Sequence, residues 1–293
     1  MNRRKIKESL SYRIFKVVNT AFLLLLAALC IMPFLHVIAK SLSDAASNAA
    51  GTIGLLPKGF QLAAYRKIFS DSAVFQAFGI TLLRMALGTV WSMFLTISAA
   101  YPLSMNKREF FGRQFFVVIF FISMLFSGGI IPYYMLMKEL NLLNTIWVLV
   151  VGTLPVGNAI ILMNFFRTLP HEIYESAAID GASHFKILTR IYLPLSKPSI
   201  ATLSLFSLVA HWNDWFGGLI YMQSPEKYPL QTYIYNVSTV ATSFVDSLVS
   251  ETAAPRQAVN ASLIVFSMLP ILIVFPLLMR HVKDGMVIGA VKG

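Results

Sequence analysis

Apolar residues in this chain come in long unbroken runs rather than in alternation with polar ones. Runs of about twenty residues cover 17–39, 74–103, 115–137, 145–166, 200–222 and 258–279, parted by shorter polar stretches. A hydrocarbon layer about 30 Å thick is crossed by about 20 residues of helix. The pattern therefore predicts an all-α membrane protein with six transmembrane helices; a barrel would show short alternating segments instead. Residues 1–16 form a basic N-terminus, 17–279 the six-helix transmembrane domain and 280–293 a C-terminal tail. Gly128-Gly129 followed by Pro132 predicts a kink or unwound stretch in the third span, serving either as a packing kink or as a gate hinge. Between the first two spans, 40–73 is polar, with a short amphipathic helix expected over 60–69. A second outer segment is expected over 223–256, and a flexible tail over 285–293.

Six spans place both termini on one side. Most of the 24 Lys and Arg residues lie in 1–16, in the turn at 106–114, in 167–198 and in 280–293, and basic loops stay cytoplasmic. The same distribution accounts for the net charge of +11 without nucleic acid, because the basic residues are scattered among short loops. Only 13% of residues are charged against 57% hydrophobic, whereas soluble domains carry about 25% charged residues. The first apolar run is too long for a signal peptide and reads as an uncleaved helix. The single cysteine, Cys30, lies inside that run, where a packing thiol is expected.

One polar island stands out, the loop at 168–198. Pro170 sits where a helix start tolerates proline, with Glu172 and Glu175 at the positive end of the dipole. Ile173, Tyr174, Ala177 and Ala178 recur at helical spacing, Asp180-Gly181 interrupts, and a second short helix is expected from Ser183. That helix should carry Phe185, Ile187, Leu188 and Ile191 inward and stop before Pro194 and Pro198. Each of Glu172, Glu175, Asp180, Lys186 and Arg190 would cost roughly 2.5–3.5 kcal/mol at mid-bilayer, so the loop belongs in water. Small residues beside a glycine elbow let another backbone approach closely.

The spacing Glu175-Ser176-Ala177, three residues, Gly181, nine residues, Ile191-Tyr192-Leu193-Pro194 resembles the EAA loop of ABC importer permeases. Ser176 stands where that family usually has Ala, one small residue for another. Asp180-Gly181-Ala182 looks like the carbohydrate-importing branch. Trp212-Asn213-Asp214-Trp215-Phe216 in the fifth span and the closing Gly289-Ala290-Val291-Lys292-Gly293 are similar to the same branch. Leu125–Leu143 and Thr81-Leu82-Leu83-Arg84 look like a Gram-positive subgroup taking up uronic-acid-containing glycans of the aldouronate type.

The resemblance implies a type I ABC importer permease fold of the maltose-permease kind, with a cytoplasmic coupling-helix loop at 168–198. It implies carbohydrate transport, of an oligosaccharide, across the cell membrane. Partners would be a second permease, an extracellular solute-binding protein and two ATP-hydrolysing subunits that carry ATP and Mg. ATPase coupling would fall to Glu175, Ala177, Ala178, Asp180, Gly181, Ala182, Ile191, Leu193 and Pro194. Glu175 and Asp180 would fix the docking helix, Gly181 would form the elbow, and Ala177 and Ala178 the contact face.

No catalytic or metal constellation is legible. The five histidines fall in different segments, and no phosphate-binding GxxxxGK[ST] loop occurs, so nucleotide hydrolysis belongs to another chain. Pathway or substrate contact is read for Arg84, His211, Trp212, Asn213, Asp214 and Trp215, since intramembrane ionisable groups are functional by default and aromatic rings beside polar groups suit sugars. Helix-to-helix polar contact is the competing reading for the 211–215 cluster. Arg84 is expected to line a water-filled pathway or to pair with an acid of a neighbouring chain. Tyr133, Tyr134, Trp147 and Tyr221 read as interfacial anchors. A permease for another solute, an ion-driven transporter using Arg84 and Asp214, and a membrane-embedded enzyme using His211 and Asp214 are the alternatives.

Overall fold

The computed structural model describes residues 9–107, 109–152, 154–239 and 256–290. Among the described residues every regular element is helical. The chain divides into two compact units, one holding 1–71 and 240–266, the other 72–239 and 267–293.

In the first unit, α1 (Leu10–Ser41) has almost no buried side chain before Ala39, and its Phe and Leu residues face outward. Cys30 is exposed with them, rather than buried as the packing thiol expected. The 40–73 connection holds two helices rather than one. α2 (Ala45–Ala49) starts where the Asp44 carboxylate accepts the Ser47 N–H at 2.7 Å, a contact that holds the carboxyl below its usual range. Buried Asn48 donates to the carbonyls of Lys40, Ser43 and Asp44. α3 (Ala63–Ser70) is the expected amphipathic helix, shortened at its start.

In the second unit, α4 (Ser72–Ser104) is the mast. Its buried positions Val74, Ala77, Thr81, Arg84 and Gly88 recur every three or four residues. They are small or polar, while Leu82, Leu83, Val90 and Phe94 face outward. Helices meeting in hydrocarbon gain little from burying leucine, so close packing and polar contacts select the inner face. Thr81 shows how this works: its hydroxyl donates to Ala77 and accepts the Leu230 N–H at 2.7 Å, docking α14 (Leu230–Thr239). Lower down, Met93, Ala100, Tyr101 and Leu103 pack with Leu162, Met163 and Phe166 of α8 (Val156–Thr168) and Leu203 of α12 (Lys197–Asn213).

Three of the predicted spans are broken. α5 (Arg113–Leu125) and α6 (Ile130–Glu139) meet at 110°, where Gly129 takes φ 81°. α7 (Ile146–Val151) and α8 are parted by Gly152 and Pro155, and α12 from α13 (Phe216–Tyr221) at Asp214-Trp215. By length and composition α1, α4 and the 256–273 part of α15 (Arg256–Ala290) are able to cross a membrane. Two bent pairs join them if each pair is one span: α5 with α6, and the 184–195 helix with α12. The helix α15 continues to Ala290, so the tail expected to be flexible is helical that far. Of the outer segment expected over 223–256, residues 240–255 lie outside the described residues, as do 1–8 of the basic N-terminus and 291–293 of the tail.

Candidate functional site: a cavity at three helix breaks and an exposed elbow

All three breaks in the second unit open on one cavity of about 810 Å³. Its wall includes Ser127, Gly128 and Gly129 from the first break, Gly152 from the second, and Asp214 and Gly217 from the third. Interrupted helices leave backbone groups without intrahelical partners, tolerated at membrane depth where they are buried in protein or line a watered space.

Arg84, 3% exposed, reaches the third break from α4. Its guanidinium donates to the Asp214 carbonyl at 2.9 Å and to the Asp214 carboxylate. The other carboxylate oxygen accepts the Gly217 N–H at 2.9 Å, closing the start of α13. A Cβ on Gly217 would stand 2.6 Å from that carboxylate, so glycine is required there. The acid expected on a neighbouring chain is thus Asp214 of the same chain. His211 completes the group: its imidazole presses on α4 at Gly88, where a Cβ would come within 2.5 Å of the ring.

The remaining expected contacts turn away. Trp212 is 1% exposed, sits edge-on to Phe78 at 6.1 Å and borders a different, small apolar space. Trp215 stacks on Tyr235 at 4.2 Å, which occupies a ring face that a sugar would need. Asn213 is exposed and does not line the cavity. Conversely, Tyr133 and Tyr221, read as interfacial anchors, line the cavity and meet edge to face at 5.6 Å. Their positions near span ends pointed to the interface; only the break before α6 turns Tyr133 inward.

At the other site, α9 (His171–Ile179) begins after Pro170 as expected. It ends in a Schellman motif: Ala182 N–H bonds to Ala177 and Gly181 N–H to Ala178, both at 3.0 Å. Gly181 sits at φ 73°, open to a glycine and strained for any other residue type. α10 (His184–Ile187) starts at Ser183, whose hydroxyl accepts the Lys186 N–H. The second helix does not stop before Pro194. A wide π-turn over Leu188–Tyr192 carries it into α11 (Leu193–Leu195), and Ser196 N–H closes on Tyr192. Proline lacks only one N–H, and a locally wider turn accommodates the ring. The chain then bends by 83° into α12, with Pro198 in its first turn.

Ile187 is buried as expected and Tyr192 is wedged between Tyr101 and Phe166 at 5.3 and 5.4 Å, fixing the loop to α4 and α8. Ile191 and Leu193 are half-buried, Pro194 exposed. Phe185 does not go inward: it is 75% exposed, and Ile179 86%. Glu175, Ala178, Asp180 and Gly181 are exposed, Ala177 and Ala182 half so. Among the described residues neither the Glu175 nor the Asp180 carboxylate has a side-chain hydrogen bond or ion pair.

Residues 92–288 match the family described as binding-protein-dependent transport system inner membrane component. The chain belongs to that family. It is 41% identical to protein LplC of Bacillus subtilis over 287 residues, 96% of each chain. It is 36% identical to the polygalacturonan/rhamnogalacturonan transport system permease protein YtcP of the same organism, over 96% of this chain and 99% of YtcP. Among solved structures it superposes with TM-score 0.86 and 28% identity on a chain of a bacterial ABC transporter involved in importing the acidic polysaccharide alginate, covering 94% of this chain and 99% of that one.

The chain is therefore an ABC transport permease, with only helices among the regular elements of its described residues, rather than an enzyme. For such a permease the sequence signal missed was a pair of helix breakers: Gly152 and Pro155 sit in one apolar run as plainly as Gly128-Gly129 and Pro132 do in another. Gly88 was missed as well, because its role depends on which imidazole faces it.

Proposed function

We propose that this chain is one of two permease subunits of an ATP-driven importer that moves an oligosaccharide, of the acidic uronate-bearing kind, across the cytoplasmic membrane of a Gram-positive bacterium. Six spans follow if the pair α7–α8 crosses as one, and both termini are then cytoplasmic. A second permease completes the pathway, two ATP-hydrolysing subunits bind the 168–198 loop, and an extracellular solute-binding protein delivers the sugar. Residues 1–16, 17–279 and 280–293 serve as basic N-terminus, transmembrane domain and cytoplasmic tail.

The observation that carries this reading is the glycine elbow with two large apolar side chains, Ile179 and Phe185, left in the open on a loop whose charges keep it in water. Such a surface is finished by another protein. Glu175 and Asp180 are in place to meet cations of the motor subunit, with Ala177, Ala178 and Ala182 allowing close approach. Closure of the two motor subunits on ATP moves the loop as a rigid body, and the contacts of Ile187, Tyr192, Ile191 and Leu193 with the bundle pass that motion upward. In the cavity, Arg84, His211 and Asp214 supply polar groups and Tyr133 and Tyr221 ring surface for the moving sugar.

Replacing Gly181 by leucine should abolish uptake while leaving membrane insertion intact, checked by transport in cells and by the amount of chain in the membrane fraction. Normal uptake by that variant would defeat the coupling assignment. Copurification of the chain from native membrane without any ATPase would defeat the importer reading itself.

A further inference from the structure

The elbow explains where a motor would push, but not how α9 is held to the membrane part. Most of α9 is exposed, and Tyr174 leans on His184 of the neighbouring short helix, which in turn meets the Tyr101 ring of α4 edge to face at 6.4 Å. Its polar side-chain link to the spanning region is at its first residue. Nε2 of His171 lies 3.1 Å from a carboxylate oxygen of Glu109 and 2.5 Å from the Asn106 amide nitrogen, and it serves one at a time, donating to the carboxylate when it carries a proton and accepting from the amide when it does not. Both belong to the short turn between α4 and α5. The second Glu109 oxygen accepts the Asn106 backbone N–H at 3.0 Å, so one carboxylate braces its own turn and meets the helix beyond.

The root of this turn is pinned. Arg113, opening α5, and Arg167, in the last turn of α8, both donate to the Leu103 carbonyl near the end of α4, at 2.9 and 3.0 Å. Cations at a helix C-terminus satisfy its free carbonyls and complement its dipole. Three helices are thereby tied at one atom, and the turn grows from that knot. The Glu109 charge is also felt along α9: burial first, and that carboxylate behind it, push the Tyr174 phenol up.

We propose that Asn106 and Glu109 are positioning residues of the coupling apparatus, clasping α9 through His171 so that displacement of the loop pulls directly on the feet of α4, α5 and α8. This rests on the reading of 168–198 as the coupling loop. Without the clasp, motion of α9 reaches the bundle along the chain, through Pro170 at one end and the Tyr192 wedge at the other, and through the ring contacts of Tyr174 with His184 and of His184 with Tyr101. A hydrogen bond assisted by the carboxylate is short-ranged and directional, which suits a linkage that must carry a displacement.

The test uses the complete importer, reconstituted with its second permease, motor subunits and binding protein. Spin labels on Ser176→Cys and Lys107→Cys, in a chain carrying Cys30→Ser, report the separation of α9 and the turn with and without ATP and vanadate. The intact clasp predicts one distance in both states. Glu109→Ala and His171→Ala should each make it state-dependent, and the double variant should do no more than the larger single one, as expected of two halves of one contact. In the same vesicles, uptake of a partial pectin hydrolysate per ATP hydrolysed should fall by about fivefold or more in each single variant, the lower end of measured couplings between sites. Glu109→Gln, which keeps an acceptor, should recover part of the loss and stands in if the alanine variant fails to assemble.

A distance that changes equally in wild type and variants, or losses in the double variant that multiply, would overturn the clasp. Gly181→Leu run alongside separates the two ideas. If it transports normally, the coupling loop itself is wrongly assigned; if it is dead while the Glu109 and His171 variants keep one distance, only the clasp is wrong.

Discussion

The cavity and the elbow satisfy their side chains in opposite ways. At the helix breaks, charged and polar groups that hydrocarbon would reject are matched within the chain: Arg84 meets Asp214, and Asp214 meets Gly217. At the elbow, apolar side chains that water would reject are left unmatched, with Ile179 and Phe185 in the open. A matched polar group buried in apolar surroundings is held by its own fold, whereas unmatched apolar surface in water is stable only once covered. The difference teaches that one site is finished inside this polypeptide, and on the proposed coupling role the other is half of an interface. Changes at the first should therefore appear as lost stability, and changes at the second as lost assembly.

The sharpest way to break that contrast is Arg84→Ala. It strands the Asp214 carboxylate beside the break and should destabilise the second unit by about 3 kcal/mol, the low end for severing a buried pair, because Asp214 keeps contact with the cavity. Thermal unfolding of the detergent-purified complex reads the loss, and an unchanged midpoint would show that the pair holds nothing. Next comes Phe185→Ser, alone and with Ile179→Ser. Each removes apolar surface worth about 1.5–3 kcal/mol when covered, so motor subunits should be retained less well on the immobilised permease while its own unfolding midpoint stays put. A lowered midpoint with full retention would reverse the assignment. The smallest effect is expected from Thr81→Val, which deprives the Leu230 N–H of its acceptor at a cost of about 1–3 kcal/mol, toward the low end if the backbone shifts to another partner. Amide exchange at Leu230 checks it, and unaltered protection would mean that α14 is docked by packing alone.

Much of the exposed site was readable in advance because it is local. Pro170, Glu172, Asp180-Gly181 and Ser183 specify a helix start, a stop and a restart within a dozen residues, and the Schellman elbow at Gly181 is what such a string produces. Phe185 was misplaced because helical periodicity identifies an apolar face without saying what covers it. Pro194 misled in a related way, since a π-turn absorbed the missing N–H that was expected to end the helix. The cavity was legible only as a set of suspicious residues. Six were named; three of them, Arg84, His211 and Asp214, come together there, while Trp212, Asn213 and Trp215 point elsewhere.

Sequence by itself determined the class of the protein and the apolar stretches from which its long helices form, because hydrocarbon imposes a length and a composition on each segment independently of its neighbours. It also determined where the glycine elbow falls. Tertiary structure alone decided which face of α4 turns inward, since that face is chosen by closeness of approach and polar matching rather than by hydrophobicity. Tertiary structure likewise brought Arg84 to an acid 130 positions away and put three separate helix breaks on one cavity. Pairings of that kind depend on how helices cross, and nothing within a single apolar run encodes its neighbour.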